Sequence, residues 1–172
     1  MISVIIPAFN ESERIGSTIN ALVKTGKYDE IVVVNDGSSD STSTVAAENG
    51  ATRVIDQKNW GKGAALNAGI AAATGDILVL LDADLGETAS EAVKLLPPII
   101  SGEADMTIAT FPVIPGKGGG FGFVVRLARE GIHRLTGKTM QAPLSGQRAF
   151  RREVIEKIGP VAPGFEAEVA LT

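Results

Sequence analysis

The chain has 172 residues, 44% of them hydrophobic, a net charge of −4 and no cysteine. That is enough for one sizeable core, and it excludes disulfides, thiolate metal sites and cysteine nucleophiles. No apolar stretch approaches the roughly 20 residues that span a bilayer, and the first residues lack the zones of a signal peptide, so one domain over 1–172 in the cytoplasm is expected.

In chain order, β-branched runs at 2–6, 30–35, 53–56, 76–81 and 105–110 read as strands, and the patterns at 13–24, 41–49, 63–73 and 89–101 read as helices. Alternating strands and helices with nearly continuous apolar strands predict an α/β fold, a mostly parallel twisted sheet with helices on both faces. Asp40 or Ser41 can cap the second helix, Gly50 can end it, and Pro97 with Pro98 should bend or break the fourth. A glycine-rich run follows at 116–122, either a lid or a surface loop, and then a helix over 123–135 that places Arg126, Arg129, Glu130 and His133 on one face. Between positions 117 and 152, eight Lys or Arg stand against Glu130 alone. This basic stripe is a solvated face or a site for an anionic acceptor or lipid headgroup at the inner face of a membrane. An acidic domain with few aromatics weighs against nucleic acid.

Chemistry concentrates at the expected carboxyl ends of strands, where open α/β sheets bind ligands. The apolar run 77–81 delivers Asp82 and Asp84, a carboxylate pair suited to a hard cation. The first strand ends in VIIPAFNES, bringing Pro7, Ala8, Asn10 and Glu11 to the same edge, though an ordinary strand-to-helix turn also accounts for it. The second ends in VVNDGSSDST, where Asp36 can accept hydrogen bonds from a base or ribose or simply shape the turn. NWGKGAALNAG puts Lys62 and Gly63 at a helix mouth, where free amides and an ammonium suit a diphosphate; a solvated lysine is the alternative, and the P-loop spacing is missing.

Taken in this order, these segments resemble the nucleotide-diphospho-sugar transferases, specifically family-2-like glycosyltransferases with the GT-A fold. VIIPAFNES is similar to the PxxNE strand, VVNDGSSDST to the VDDGSxDxT turn, NWGKGAALNAG to the GKGxAxNxG helix and LLDADL to the DxD motif. SGQRAFRRE at 145–153 and GFEAE at 164–168 resemble acceptor-side segments of polyprenyl-phosphate sugar synthases. GGGFG followed by QAPLSGQRA is similar to the glucosyl-phosphoglycerate synthase group.

The resemblance implies a donor half, 1–110, and an acceptor-side half, 111–172, with the chain halting inside a helix where relatives normally continue. It implies that Pro7, Ala8, Asn10, Glu11 and Asp36 line the nucleoside pocket, with Lys62 and Gly63 near the base or diphosphate. Asp84 would be the direct ligand of Mg²⁺ or Mn²⁺, and Asp82 would reach the ribose or the ion through water, with Ala83 between them. Glu166 and Glu168 become candidates for the base that activates an acceptor hydroxyl. Should the acceptor be a phosphate, as in polyprenyl phosphate or phosphoglycerate, Arg148, Arg151 and Arg152 would bind it in two-point geometry; an exposed helix N-terminus is their competing reading. The implied reaction is sugar transfer from a nucleoside-diphosphate sugar, UDP-linked first. Two alternatives are a nucleotide-sugar-binding module without turnover and a sugar-1-phosphate nucleotidyltransferase. Two departures stand out: Asn35 occupies a usual aspartate position, and Gln147 replaces the aromatic of SGFR.

Overall fold

The computed structural model describes residues 1–110, 130, 131, 133, 134, 137, 142 and 145–161. The elements are β1 (Ile2–Ala8), α1 (Ile15–Thr25), β2 (Glu30–Asp36), α2 (Thr42–Glu48), β3 (Arg53–Gln57), α3 (Lys62–Ala72), β4 (Ile77–Leu80), a 3-10 run (Gly86–Leu95), α4 (Pro97–Ile100), β5 (Met106–Ile108), β6 (Arg148–Arg151) and α5 (Arg152–Ile158).

One six-stranded sheet in the order β3-β2-β1-β4-β6-β5 forms the middle layer. β1 pairs in parallel with β2 (Ala8 opposite Asn35) and with β4 (Ile5 opposite Leu80), and β2 pairs in parallel with β3. The order reverses between β1 and β4, which opens a crevice beyond their carboxyl ends.

The apolar strands sort by the two-residue period onto two faces. Val4, Ile6, Val33, Val79 and Leu81 face a core completed by Ile15, Ile19 and Leu22 of α1 and by Leu95 and Ile99. Ile5, Val32, Val34, Leu78 and Leu80 face Ala65, Leu66 and Ile70 of α3, together with Phe150. Each fully buried large aliphatic contributes about 1.5–3 kcal/mol. α1 ends on Gly26, whose φ of +60° is the left-handed conformation glycine tolerates. Gly69 lets α3 lie directly on β1: a β-carbon there would come within 2.4 Å of Ile5 Cγ2.

Three local points refine the expectations. The helix expected over 89–101 breaks at Pro97 and Pro98 as expected, where two backbone donors are missing, and its first part is a 3-10 run rather than an α-helix. Of the two expected caps of α2, Asp40 serves: its Oδ1 accepts from the Thr42 amide (3.0 Å) and hydroxyl (2.5 Å), while the helix-flanking Ser41 makes no side-chain cap bond. The segment RAFR is a strand rather than a helix start: β6 runs antiparallel between β4 and β5, so the sheet is mixed at one side. The glycine-rich run and the greater part of the 123–135 helix lie outside the described residues.

Candidate functional site

The carboxyl ends of β1, β2 and β4 surround an open cavity of about 590 Å³, and all three acidic motif segments reach it. Pro7, Ala8 and Glu11 line it from the end of β1, Asp36 from β2, Lys62 from the first turn of α3, and Asp82, Ala83 and Asp84 from the turn after β4. Phe9, Asn59, Gly61 and Ala65 complete the wall; Phe9 is half exposed, and its place inside the motif VIIPAFNES was the available signal.

Asp82 is clamped from two sides. Lys62 Nζ lies 2.8 Å from its Oδ1, and Gln147 Nε2 donates to its Oδ2 at 2.5 Å. Gly146 makes this approach possible, since a β-carbon there would stand 2.9 and 3.1 Å from the two carboxylate oxygens. Gln147, the departure from the usual aromatic, is therefore a buried site residue that ties the strand β6 to the turn after β4.

Asp36 turns inward and serves the loop. Its Oδ1 accepts from Gln57 Nε2 (2.6 Å) and the Trp60 amide (3.0 Å), and its Oδ2 accepts from the Gly61 amide (2.8 Å). The expected base or ribose acceptor thus also fixes the path of residues 57–61 at the cavity rim. Asn10 does not line the cavity. With φ of +54° it braces the neighbouring turn: its amide donates to Ser38 Oγ (2.8 Å) and its Oδ1 accepts from the Ser39 amide (2.9 Å). Gly63 likewise lies under the wall, buried in the first turn of α3.

At the opposite wall Arg14, which sequence reasoning passed over, joins two carboxylates. Its Nη2 lies 2.8 Å from Glu11 Oε2, and its Nη1 lies 3.6 Å from Asp84 Oδ2. Burial pushes the Glu11 carboxyl above its ordinary pKa; Arg14 opposes this and the negative charge of Asp84 adds to it. Hydrogen bonds, first from the Thr42 hydroxyl and then from Ser12, draw Asp40 down to about 2.

No cluster of three His, Asp or Glu side chains able to hold a metal stands among the described residues. The protein's offer is the Asp82–Asp84 pair. Asp82 has both oxygens engaged, whereas Asp84 is half exposed and faces the cavity. That donor set fits a small octahedral cation, which takes one or two carboxylates and completes its shell with phosphate oxygens and water.

The three arginines expected on the acceptor side lie at different ends of β6. Because β6 runs against β4, Arg148 pairs with Leu80 near the crevice while Arg151 pairs with Ile77 at the far, amino edge of the sheet. Arg148 is 1% exposed and donates to the Ser145 carbonyl, with Nη2 at 2.7 Å. Arg151 Nη2 donates to Ile99 O (2.6 Å), and Arg152 reaches Gly75 O and Ala73 O at 2.8 Å each. These guanidinium groups satisfy backbone carbonyls, and two of the three are remote from the cavity. Glu166 and Glu168 lie outside the described residues. Among the described residues no helix is long and apolar enough to cross a membrane.

Known proteins share the sequence pattern and the fold. The family model of glycosyl transferase family 2 matches residues 3–159. Glucosyl-3-phosphoglycerate synthase of Mycolicibacterium paratuberculosis is 33% identical over 194 residues, covering 99% of this chain and 58% of that protein. Undecaprenyl-phosphate 4-deoxy-4-formamido-L-arabinose transferase of Edwardsiella ictaluri is 34% identical, covering 90% of this chain and 50% of its own length. The crystal structure of Mycobacterium tuberculosis glucosyl-3-phosphoglycerate synthase with Mn²⁺, UDP-glucose and phosphoglyceric acid superposes with a TM-score of 0.82 at 34% identity, over 99% of this chain and 63% of that one. A second crystal structure of the Mycobacterium tuberculosis enzyme, with Mg²⁺ and UDP, gives 0.83 at 32% identity, with the same coverage. The chain spans about three fifths of the length of these synthases. With its GT-A architecture and its ordered motifs, the chain belongs to glycosyl transferase family 2.

Proposed function

We propose that this protein transfers a sugar from a UDP-sugar, UDP-glucose first, to a phosphorylated acceptor, with Mg²⁺ or Mn²⁺ held at Asp84. The observation that carries the reading is the convergence of Glu11, Lys62, Asp82 and Asp84 on one cavity at the topological switch point. It is supported by the likeness to a synthase crystallised with Mn²⁺, UDP-glucose and phosphoglyceric acid. A cation held at Asp84 would supply Lewis-acid chemistry there.

The protein's own groups do the remaining work. Leaving of the nucleoside diphosphate would place new negative charge beside the mouth of α3, where the helix N-terminus and the Lys62 ammonium face the cavity. The cavity wall formed by Pro7, Ala8 and Phe9 gives the nucleoside an apolar seat beside the polar diphosphate end. Glu166 or Glu168 would accept the proton of an acceptor hydroxyl. A phosphoglycerate and a lipid-linked phosphate share the phosphoryl chemistry, and separate assays with each distinguish them.

UDP release from UDP-glucose with 3-phosphoglycerate or undecaprenyl phosphate tests the proposal. Release is expected with Mn²⁺, absent with EDTA, and reduced by about 10²–10³-fold in Asp84→Ala. Turnover that survives both changes would overturn the cation role, and Mn²⁺-dependent UDP binding without turnover on either acceptor would leave a binding module in place of a transferase.

A further inference from the structure

The reading of Asp84 as a cation ligand leaves the role of Arg14 open. This arginine sits in the turn between β1 and α1, anchored by its own backbone: its amide donates to Glu11 O at 3.0 Å, and its carbonyl accepts from the Thr18 amide at 3.2 Å. The guanidinium fork spreads between two elements. Nη2 contacts both Glu11 oxygens, at 2.9 Å to Oε1 and 2.8 Å to Oε2, while Nη1 stands 3.6 Å from Asp84 Oδ2. The Glu11 side chain is 18% exposed and the Asp84 side chain 48% exposed, so the two contacts are unequal. The Glu11 end is tight and sheltered; the Asp84 end is longer and open to water.

We propose that Arg14 is the counterion of the Asp84 carboxylate in the cation-free protein, and that an incoming divalent cation must displace it from Asp84. The proposal rests on the cation reading of Asp84 given above. Glu11 and Asp84 are neighbouring acids at one cavity wall, and one guanidinium serves them both. A cation arriving on Asp84 takes over half of that duty, and Arg14 keeps its hold on Glu11. Exchange of this kind costs cation affinity in two ways: the Arg14–Asp84 contact is given up, and a fixed positive charge stays near the ion. At a separation of ~5 Å in a water-like dielectric, that repulsion alone weakens binding of a doubly charged ion by about tenfold. Screening in salt reduces the effect, so the competition is strongest at low ionic strength. An arginine that only supported the start of α1 would have no bearing on cation affinity.

The test is a titration of Mn²⁺ into the whole chain without nucleotide, followed by the electron paramagnetic resonance signal of the free ion. Arg14→Met keeps the aliphatic stem and removes the charge; it should bind Mn²⁺ about three- to tenfold more tightly than the wild type in low salt. Arg14→Gln should move the same way, and Arg14→Lys should stay near the wild type. Unchanged or weaker Mn²⁺ binding in Arg14→Met and Arg14→Gln overturns the proposal. Asp84→Asn separates the two readings. Lost binding in Asp84→Asn together with no tightening in the Arg14 variants sinks the Arg14 proposal alone. Undiminished binding in Asp84→Asn removes the cation reading of Asp84 and this proposal with it.

Discussion

Lys62 Nζ and Asp82 Oδ1 lie 2.8 Å apart across the floor of the cavity, joining the first turn of α3 to the turn that follows β4. Both side chains are about two-thirds covered, and Gln147 holds the second oxygen of the same carboxylate. Losing one partner of such a part-buried charged group costs about 1–3 kcal/mol. Lys62→Met and Gln147→Leu should each weaken UDP binding in calorimetry by about tenfold, which is ~1.4 kcal/mol. Equal affinity in both variants would show that the clamp does not shape the donor pocket.

Gly69 predicts a purely structural loss. Alanine is the better helix former by about 1 kcal/mol, yet its β-carbon would sit 2.4 Å from Ile5 Cγ2 and 3.2 Å from Val34 Cγ2. Overpacking of this kind costs about 1–3 kcal/mol. Net of that gain, Gly69→Ala should lower Tm by a few degrees, up to roughly 8 °C, with little change in cation affinity; a higher Tm would mean that α3 shifts off β1 freely.

Asp40 predicts the acid limb of stability. Its folded pKa is drawn from 3.8 to about 2 by the Thr42 hydroxyl and by Ser12, so its contribution is present above the unfolded value and is lost as pH falls towards 2. Asp56, lowered first by the Ser43 hydroxyl and then by Asn35, acts in the same direction. Glu11, raised by burial, has the opposite sign: its share is present below its unfolded value and is lost as pH rises through the folded one. Urea midpoints measured from pH 5 to pH 2 should fall less steeply in Asp40→Asn than in the wild type. Parallel curves would show that the Asp40 cap is not the linked group.

Arg152 separates a structural role from an acceptor-binding one. Its guanidinium closes on Ala73 O and Gly75 O at the end of α3. Arg152→Ala should cost about 1–3 kcal/mol of stability in denaturant unfolding, with the acceptor KM unchanged. A raised acceptor KM at unchanged stability would restore the phosphate-binding role.

The strands and their carboxyl ends were legible because apolar runs such as Ile2–Ala8 and Ile77–Leu80 are buried on both faces and advertise it in composition. The acidic ends at Asp36, Asp82 and Asp84 followed from the same runs, and the cavity contains all three. β6 was hidden because two of its four residues are arginines, one satisfied by the nearby Ser145 carbonyl and the other by Ile99 O, far away in the chain. Arg14 was hidden for a related reason. Three residues after Glu11 at a helix start, it reads as a solvated end, and its second partner lies 70 positions on, at Asp84.

The reversed direction of β6 gives one short stretch of sequence two addresses. Its leading end, at Gln147, touches the aspartate of the donor cavity; its trailing end, at Arg152, fastens the underside of α3. Substitution at the first of these six positions should therefore show chiefly in how nucleotide is handled, and substitution at the last chiefly in whether the chain survives warming.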